Sequence, residues 1–412
     1  MRKSLVTWSL FALCAVIGSA CGPKSNGQRG NNHPAGTDGG SNNNDNNNNN
    51  TNGDGGYMPP PGCMPTGGDP NGDQDQDGYT PKQGDCDDCN PTINPGAIQI
   101  PGDTTDYACN GMPGVLPTCD ASNTGMRDAT SLANAFEACD PRFFKSATLV
   151  GPSDQRGRKV LASFGVLKPQ AGANFALISS GIAADKSDAD FDKTMEEDPG
   201  TNFGNSNTFA NPQPNLPGAM GCSQAQPTTV NDYTELVVKL KAPTNANSFS
   251  FDFQFFSTEY PQYVCTKYND EFLVLQESAG EFSMPTNIAF DMNMNPITIN
   301  NGFFTVCTNN PDMTSANYKY TQNCKHPVTD IAGTGFDDPP GGPLAGFPGV
   351  STIPGGSTGW LTTTAPVTPG EDVTLHFIIF DEGDHILDSA ALIDNFRWGT
   401  TVIMTPSTGP IS

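Results

Sequence analysis

The chain has 412 residues, of which 45 are Gly and 36 are Pro, and only 35% are hydrophobic. With 20 Lys plus Arg against 44 Asp plus Glu, its formal net charge is -24, which argues against nucleic acid and anionic lipid headgroups as partners, because both favour a basic face. Only 16% of residues are charged, so the polarity comes mainly from Asn, Ser, Thr, Gly and Gln, a composition suited to an exported β-protein.

Residues 1–20 read as an export signal. Arg2 and Lys3 form a positive start, and Leu5 to Ile17 form an apolar core too short for a membrane span. The segment ends in Gly18-Ser19-Ala20-Cys21-Gly22. This resembles a bacterial lipobox, with Gly18 where Leu is usual. The resemblance implies a lipid on Cys21, and Gly22 in place of Asp implies the outer rather than the inner membrane. Ordinary cleavage after Ala20 is the alternative. Either way the chain is expected to be exported, as an outer-membrane lipoprotein or at the cell surface. Residues 21–72 are Asn-, Gly- and Pro-rich, with too few apolar groups to offset the entropy of ordering, and are expected to be a disordered tether.

Residues 73–96 read DQDQDGYTPKQGDCDDCNPTINPG. Asp73, Asp75 and Asp77 alternate before the turn residue Gly78, so their carboxylates can converge on one hard cation, with the Tyr79 carbonyl added. Asp85, Asp87 and Asp88 follow as further ligand candidates. Gly84 stands where an EF-hand loop needs a bidentate Glu, so this is another kind of loop. The stretch, continued by Cys109-Asn110-Gly111, resembles the MopE-type metal-binding motif through Ala97 and departs from it afterwards. That resemblance implies a metal. The family name points to copper, whereas the all-oxygen donor set points to calcium.

Without Cys14 in the signal and Cys21 at the lipid site, ten cysteines remain, an even number in an exported chain. Cys86 and Cys89 are a C-x-x-C pair, but the flanking acids would raise a thiol pKa, so disulfides rather than redox chemistry are expected of them and of Cys109. In the main domain the expected bridges are Cys222 with Cys265 and Cys307 with Cys324, each closing a loop.

The main domain is placed at 118–400, with residues 401–412 as a tail. Ala129, Leu132, Ala133 and Phe136 share one face of a helix predicted over 127–139. Strands are predicted at 147–150, 160–164, 175–179 and 235–240. Phe249, Phe251, Phe253 and Phe255 then alternate with Ser250, Asp252 and Gln254, the pattern of a half-buried strand. A polar loop leads to a strand at 272–275, an Asn-rich hairpin at 287–303 and the closing strands 373–380 and 391–398. Polar segments at 183–232 and 333–359 read as long loops. The fold class is mainly β, a jelly-roll-like β-sandwich with one early helix, preceded by the tether and a small metal-binding loop.

The stretches Ala147–Gly151, Leu177–Gly181, Phe255–Phe272 (FFSTEYPQYVCTKYNDEF) and Phe380–Phe396 (FDEGDHILDSAALIDNF) resemble the choice-of-anchor L domain of bacterial surface proteins. That resemblance implies a surface-attached module with no activity to carry over.

The first loop carries Glu259, Asn269 and Asp270, and the last turn and closing strand carry Asp384, Asp388 and Asp394. If the first and last core strands are neighbours, the two groups meet in a calcium-dependent site, with Tyr260 and Tyr263 as ligand-contacting aromatics. The partner expected for such a module is an extracellular glycan or protein. A glycan hydrolase with paired carboxylates and a purely structural envelope protein are the rival readings. No Gly-x-Ser-x-Gly, His-Glu-x-x-His or phosphate loop supports an enzyme.

Overall fold

The computed structural model describes residues 63–64, 68–117, 119, 123–151, 155–191, 208–214, 216, 222, 226–300, 302–308, 324–338 and 354–411. The export signal, Cys21, most of the tether, and much of the polar segments at 183–232 and 333–359 lie outside the described residues. No helix among the described residues is long and apolar enough to cross a membrane.

The early helix, α1 (Ala129–Ala135), is shorter than its apolar face suggests. Asp128 caps its start by accepting the Ser131 N–H at 3.0 Å, and Glu137 adopts a left-handed φ of 66° just beyond its end. Leu132, Ala133 and Phe136 are fully buried, as the periodicity requires.

Sixteen strands are present among the described residues. They are β1 (Phe144–Val150), β2 (Arg158–Leu161), β3 (Phe175–Ser179), β4 (Phe209–Ala210), β5 (Thr229–Lys241), β6 (Ser248–Ser257), β7 (Glu271–Ser278) and β8 (Thr286–Asn287). Then come β9 (Ile297–Thr298), β10 (Val306–Cys307), β11 (His326–Pro327), β12 (Gly356–Ser357), β13 (Leu361–Pro366), β14 (Asp372–Asp381), β15 (Ser389–Gly399) and β16 (Ser407–Pro410). One sheet runs β1-β5-β14-β7-β8, with β4 on β5 and β9 on β7. The other runs β11-β10-β12-β6-β15-β3-β2, with β13 on β6 and β16 on β13. The result is a β-sandwich.

The inner faces meet through the alternating residues of β6 and β14. Phe249, Phe251, Phe253 and Phe255 have no exposed surface, and they share a core with Leu375, Phe377 and Ile379. Phe251 meets Phe377 edge-on at 5.3 Å, and Phe377 meets Phe136 of the helix region at the same separation. Burying each ring stabilises the fold by roughly 2–3 kcal/mol.

The other face of β6 is not solvent, contrary to its polar pattern. Asp252 and Gln254 are each 2% exposed. Asp252 accepts from Thr362 Oγ1 at 2.6 Å and Asn395 Nδ2 at 2.7 Å, and Gln254 Nε2 donates to Ser357 Oγ at 2.7 Å. A second apolar cluster of Phe164, Phe175, Phe256, Ile331 and Phe336 covers that side. Contacts from β12, β13 and β15, remote in sequence, satisfy the Asp252 carboxylate and the Gln254 Nε2. The terminal segment also departs from expectation. It is not a free tail, because β16 pairs with β13 from Leu361–Pro410 to Thr364–Ser407.

The Asp-rich segment is fastened to the turn between β5 and β6. Thr244 N–H donates to the Gly96 carbonyl at 3.0 Å, and Asn245 bonds both backbone groups of Ile98. Arg142 Nη1 donates to the Ala97 carbonyl at 3.0 Å. Disulfides join Cys222 to Cys265 and Cys307 to Cys324, the two pairs expected. Cys86 pairs with Cys109, Cys89 with Cys63, and Cys119 with Cys139, so the C-x-x-C is divided between two bridges.

Candidate functional site

Two groups of acids stand out. In the Asp-rich segment, Gln76 and Gly78 take left-handed φ values of 65° and 94°, which curl the loop around its own carboxylates. Asp73 accepts the Gln76 N–H at 2.7 Å through one oxygen and the Gly78 N–H at 3.0 Å through the other. Asp88, fully buried, is likewise engaged by the Gln74 N–H at 3.1 Å and Gln74 Nε2 at 2.6 Å.

Asp75, Asp77 and Asp85 differ. Each turns Oδ1 to a backbone N–H two residues on, of Asp77, Tyr79 and Asp87 respectively. Each leaves Oδ2 buried without a well-formed hydrogen bond, with the Asn94 side chain beside Asp77, and Asp87 Oδ1 is in the same state. Ligand oxygens of Asp75, Asp77 and Asp85 lie within 4.8 Å of one another, as do those of Asp73, Asp75 and Asp88. Burial, reinforced by neighbouring acids, raises Asp75 to a pKa of about 7 and Asp77 to about 6, and raises Asp85 as well. The Tyr79 ring packs over Gly96, where a Cβ would come within 2.5 Å of the Tyr79 hydroxyl. Carboxylate oxygens that converge without donors suit a hard divalent cation. Copper would want imidazole or sulfur, and Cys86 and Cys89 are both in disulfides.

The second group lies where the chain crosses between the sheets. β6 and β15 are neighbours in one sheet, and β7 and β14 in the other. Ser257 faces Ser389, and Glu271 faces Phe380. The connections 258–270 and 382–388 therefore meet at one end of the sandwich, as expected. Asp270 is at its centre, with no exposed surface. It accepts Ser389 Oγ at 2.6 Å and the Glu382 N–H at 3.3 Å, and its own N–H donates to Glu259 at 3.4 Å. Burial holds Glu259 well above the usual carboxylate range, and Asp270 adds to the effect. Burial raises Asp270 to about 7, Glu271 to about 8 and Glu382 to about 10, the last with help from Glu271 and Asp270. Asp381 is pushed well up by burial and then by Asp270, Asp232 and Asp388.

The structure thus gathers Glu259, Asn269, Asp270, Asp384 and Asp388 at one end. Asn269 accepts Asn300 Nδ2 at 2.6 Å and stands beside Glu382. Asp384 acts on Glu259 through its charge and accepts the Ile386 N–H at 3.1 Å. Asp394 does not belong to the group. It pairs in register with Asp252, farther along β15, and holds the Gln170 and Ala171 N–H groups. Strand direction carries it away, since residues five apart along a strand are about 17 Å apart. Tyr260 is 6% exposed and stacked on Phe304 at 4.4 Å, so it serves the core instead of a ligand. Tyr263 is half-buried and meets Tyr268 edge-on at 5.3 Å.

Sequence reasoning left Asp381, Glu382, Glu271 and Asp232 out of the group. Asp381 ends β14, Glu382 follows it and Glu271 begins β7, so all three become part of the group only when the two crossings meet. Asp232 comes from β5, where its left-handed φ of 50° is the local irregularity that could have marked it. His385 Nδ1 is 3.1 Å from Asp232 Oδ2.

The family model for the choice-of-anchor L domain matches residues 146–396. The chain belongs to the choice-of-anchor L domain family. The match takes in every strand from β2 to β14 and most of β1 and β15, and so both crossing connections. Membership makes this a cell-surface or secreted module of a non-enzymatic family. The Asp-rich segment, α1 and β16 lie outside the matched residues of this choice-of-anchor L chain. No curated protein and no solved structure matches it.

Proposed function

We propose that the chain is a surface-held binding or adhesion module whose Asp-rich segment takes one calcium ion through Asp75, Asp77 and Asp85, with Asp87 adjacent. The observation that carries this is the set of buried Oδ2 atoms left short of donors in a loop where Asp73 and Asp88 are satisfied. Calcium would replace the missing partners and draw the loop together, while the bonds from Thr244, Asn245 and Arg142 pass that order to the sandwich. The net charge of -24 favours cation uptake further.

The module would be held to the outer membrane by a lipid on Cys21, through the tether at 21–72, and would meet an extracellular glycan or protein. The hydrolase reading is weakened by burial. Glu259 and Asp270 are 2% and 0% exposed, so a glycosidic bond has no route to them.

The test is limited proteolysis of the full chain, read by mass spectrometry. Calcium should protect residues 73–96, and Asp75→Ala with Asp77→Ala should abolish that protection while circular dichroism of the sandwich is unchanged. Cleavage within 73–96 that is indifferent to calcium would sink the proposal.

A further inference from the structure

Glu259, Asp270, Glu271, Asp381 and Glu382 share one end of the sandwich, and none is more than 4% exposed. No Lys or Arg is among the leading influences on any of the five. Several buried negative charges cannot persist together, so protons or a metal cation must neutralise them.

Protons alone leave a defect at Asp381. A buried neutral acid needs an acceptor for its proton, and a buried carboxylate needs donors. Both Asp381 oxygens are buried without a well-formed hydrogen bond, although the Ser180 hydroxyl and the Asp270 carboxyl lie against them. Both of these neighbours also serve other partners. Ser180 Oγ points to the Ser389 carbonyl at 3.3 Å and accepts the Ser389 N–H at 2.9 Å. Asp270 already holds Ser389 Oγ and the Glu382 N–H. A hard divalent cation is what satisfies both oxygens of one carboxylate at once while drawing in other acids.

We propose that Asp381 is the central ligand of a buried calcium site, completed by Asp270 and Asp388, that ties the β6–β7 crossing to the β14–β15 crossing. The ligands come from three places in the chain: the entry to β7, the exit of β14 and the entry to β15. The carboxylate triads already closed to 4.8 Å among the described residues are those of the Asp-rich segment. Filling the interior site therefore takes side-chain rotation that brings Asp270 and Asp388 onto the ion held by Asp381. Such an ion would lock both inter-sheet connections, and with them the register of β6 on β15 and of β7 on β14. This site is independent of calcium in the Asp-rich segment.

The test uses the full chain carrying Asp75→Ala and Asp77→Ala, which leaves the crossing end untouched. After treatment with EDTA, calcium chloride is titrated in by calorimetry. The expected result is one calcium ion bound per chain, lost when Asp381→Asn is added. A D75A/D77A chain that binds no calcium overturns the interior site, whatever the unaltered Asp-rich segment does in the wild-type chain. Should the Asp381→Asn chain fail to fold, Asp388→Asn is expected to give the same loss. Calcium bound by D75A/D77A that survives every foldable substitution at 381 and 388 also overturns the assignment.

Discussion

Asn245 closes a two-bond clamp on Ile98: its Oδ1 accepts the Ile98 N–H at 2.9 Å and its Nδ2 donates to the Ile98 carbonyl at 3.0 Å. Both residues are buried, so neither bond can be handed over to water. This side chain stands in for a strand partner and fastens the Asp-rich segment to the turn between the fifth and sixth strands. Asn245→Ala leaves two buried backbone groups unsatisfied, and is expected to cost about 2–4 kcal/mol. Urea unfolding checks this. A loss under about 0.5 kcal/mol would mean that the clamp is redundant.

The aromatic path through the sandwich gives a second expectation. Phe377 touches Phe251 of the opposite sheet and Phe136 of the helix region, and all three are fully buried. Phe377→Ala should destabilise by about 3–5 kcal/mol, and Phe377→Leu by clearly less, since a smaller cavity remains. Chemical denaturation of both variants reads the difference. Equal losses would point to ring geometry instead of cavity volume as the cause.

The third expectation is a pH dependence with a definite sign. A carboxyl whose folded pKa is raised holds its proton more tightly in the folded chain, so stability present at low pH is lost as pH rises through the folded pKa. Asp77, Asp75, Asp270 and Glu271 carry folded values of about 6, 7, 7 and 8. In EDTA, Tm should therefore fall as pH rises from about 5 to about 8. Calcium needs ionised carboxylates, so excess calcium should flatten or reverse that slope. Melting curves across this range, with and without calcium, decide it. A calcium-free Tm that climbs with pH would contradict the buried-acid account.

The fourth concerns the two bridges of the acidic loop. Cys63–Cys89 and Cys86–Cys109 each tie the carboxylate-bearing turn to a neighbouring stretch. Replacing Cys86 and Cys109 by Ser should lower stability by about 2–4 kcal/mol. It should also weaken calcium-dependent protection of residues 73–96, because the acids then pay more ordering entropy on binding. Protection that is unchanged in this variant would show that the loop is ordered by its backbone bonds alone.

Much of the site was legible before the fold, for specific reasons. Asp75 and Asp77 are ligand candidates by local spacing, since a curled loop converges alternate carboxylates however the rest of the chain folds. Glu259 and Asp270 flank one connection, so their proximity needed only the strands on either side. Asp394 was misplaced because it follows Asp388 closely in sequence but lies along the extended strand that begins at Ser389, and nearness in sequence along an extended chain is distance in space. Tyr260 read as a surface aromatic because its neighbours are polar, but Phe304 covers it from forty-four residues away.

By itself the sequence determined the alternating core of β6 and β14, the acidic loop at 73–88 and the helical face of Ala129 to Phe136. Each of these is a period or spacing carried within a few residues, and the backbone geometry of strands, turns and helices converts it directly into a face or a cluster. Tertiary structure decided the rest. It buried Asp252 and Gln254 beneath a second apolar layer, recruited residues 407–410 as a strand, and set Asp381 beside Asp270, Asp388 and Asp232. Those outcomes depend on which strands become neighbours and which way each connection crosses between the sheets. Both are fixed by contacts between residues far apart in the chain, such as Asp252 with Thr362 and Thr364 with Ser407, which no local pattern encodes.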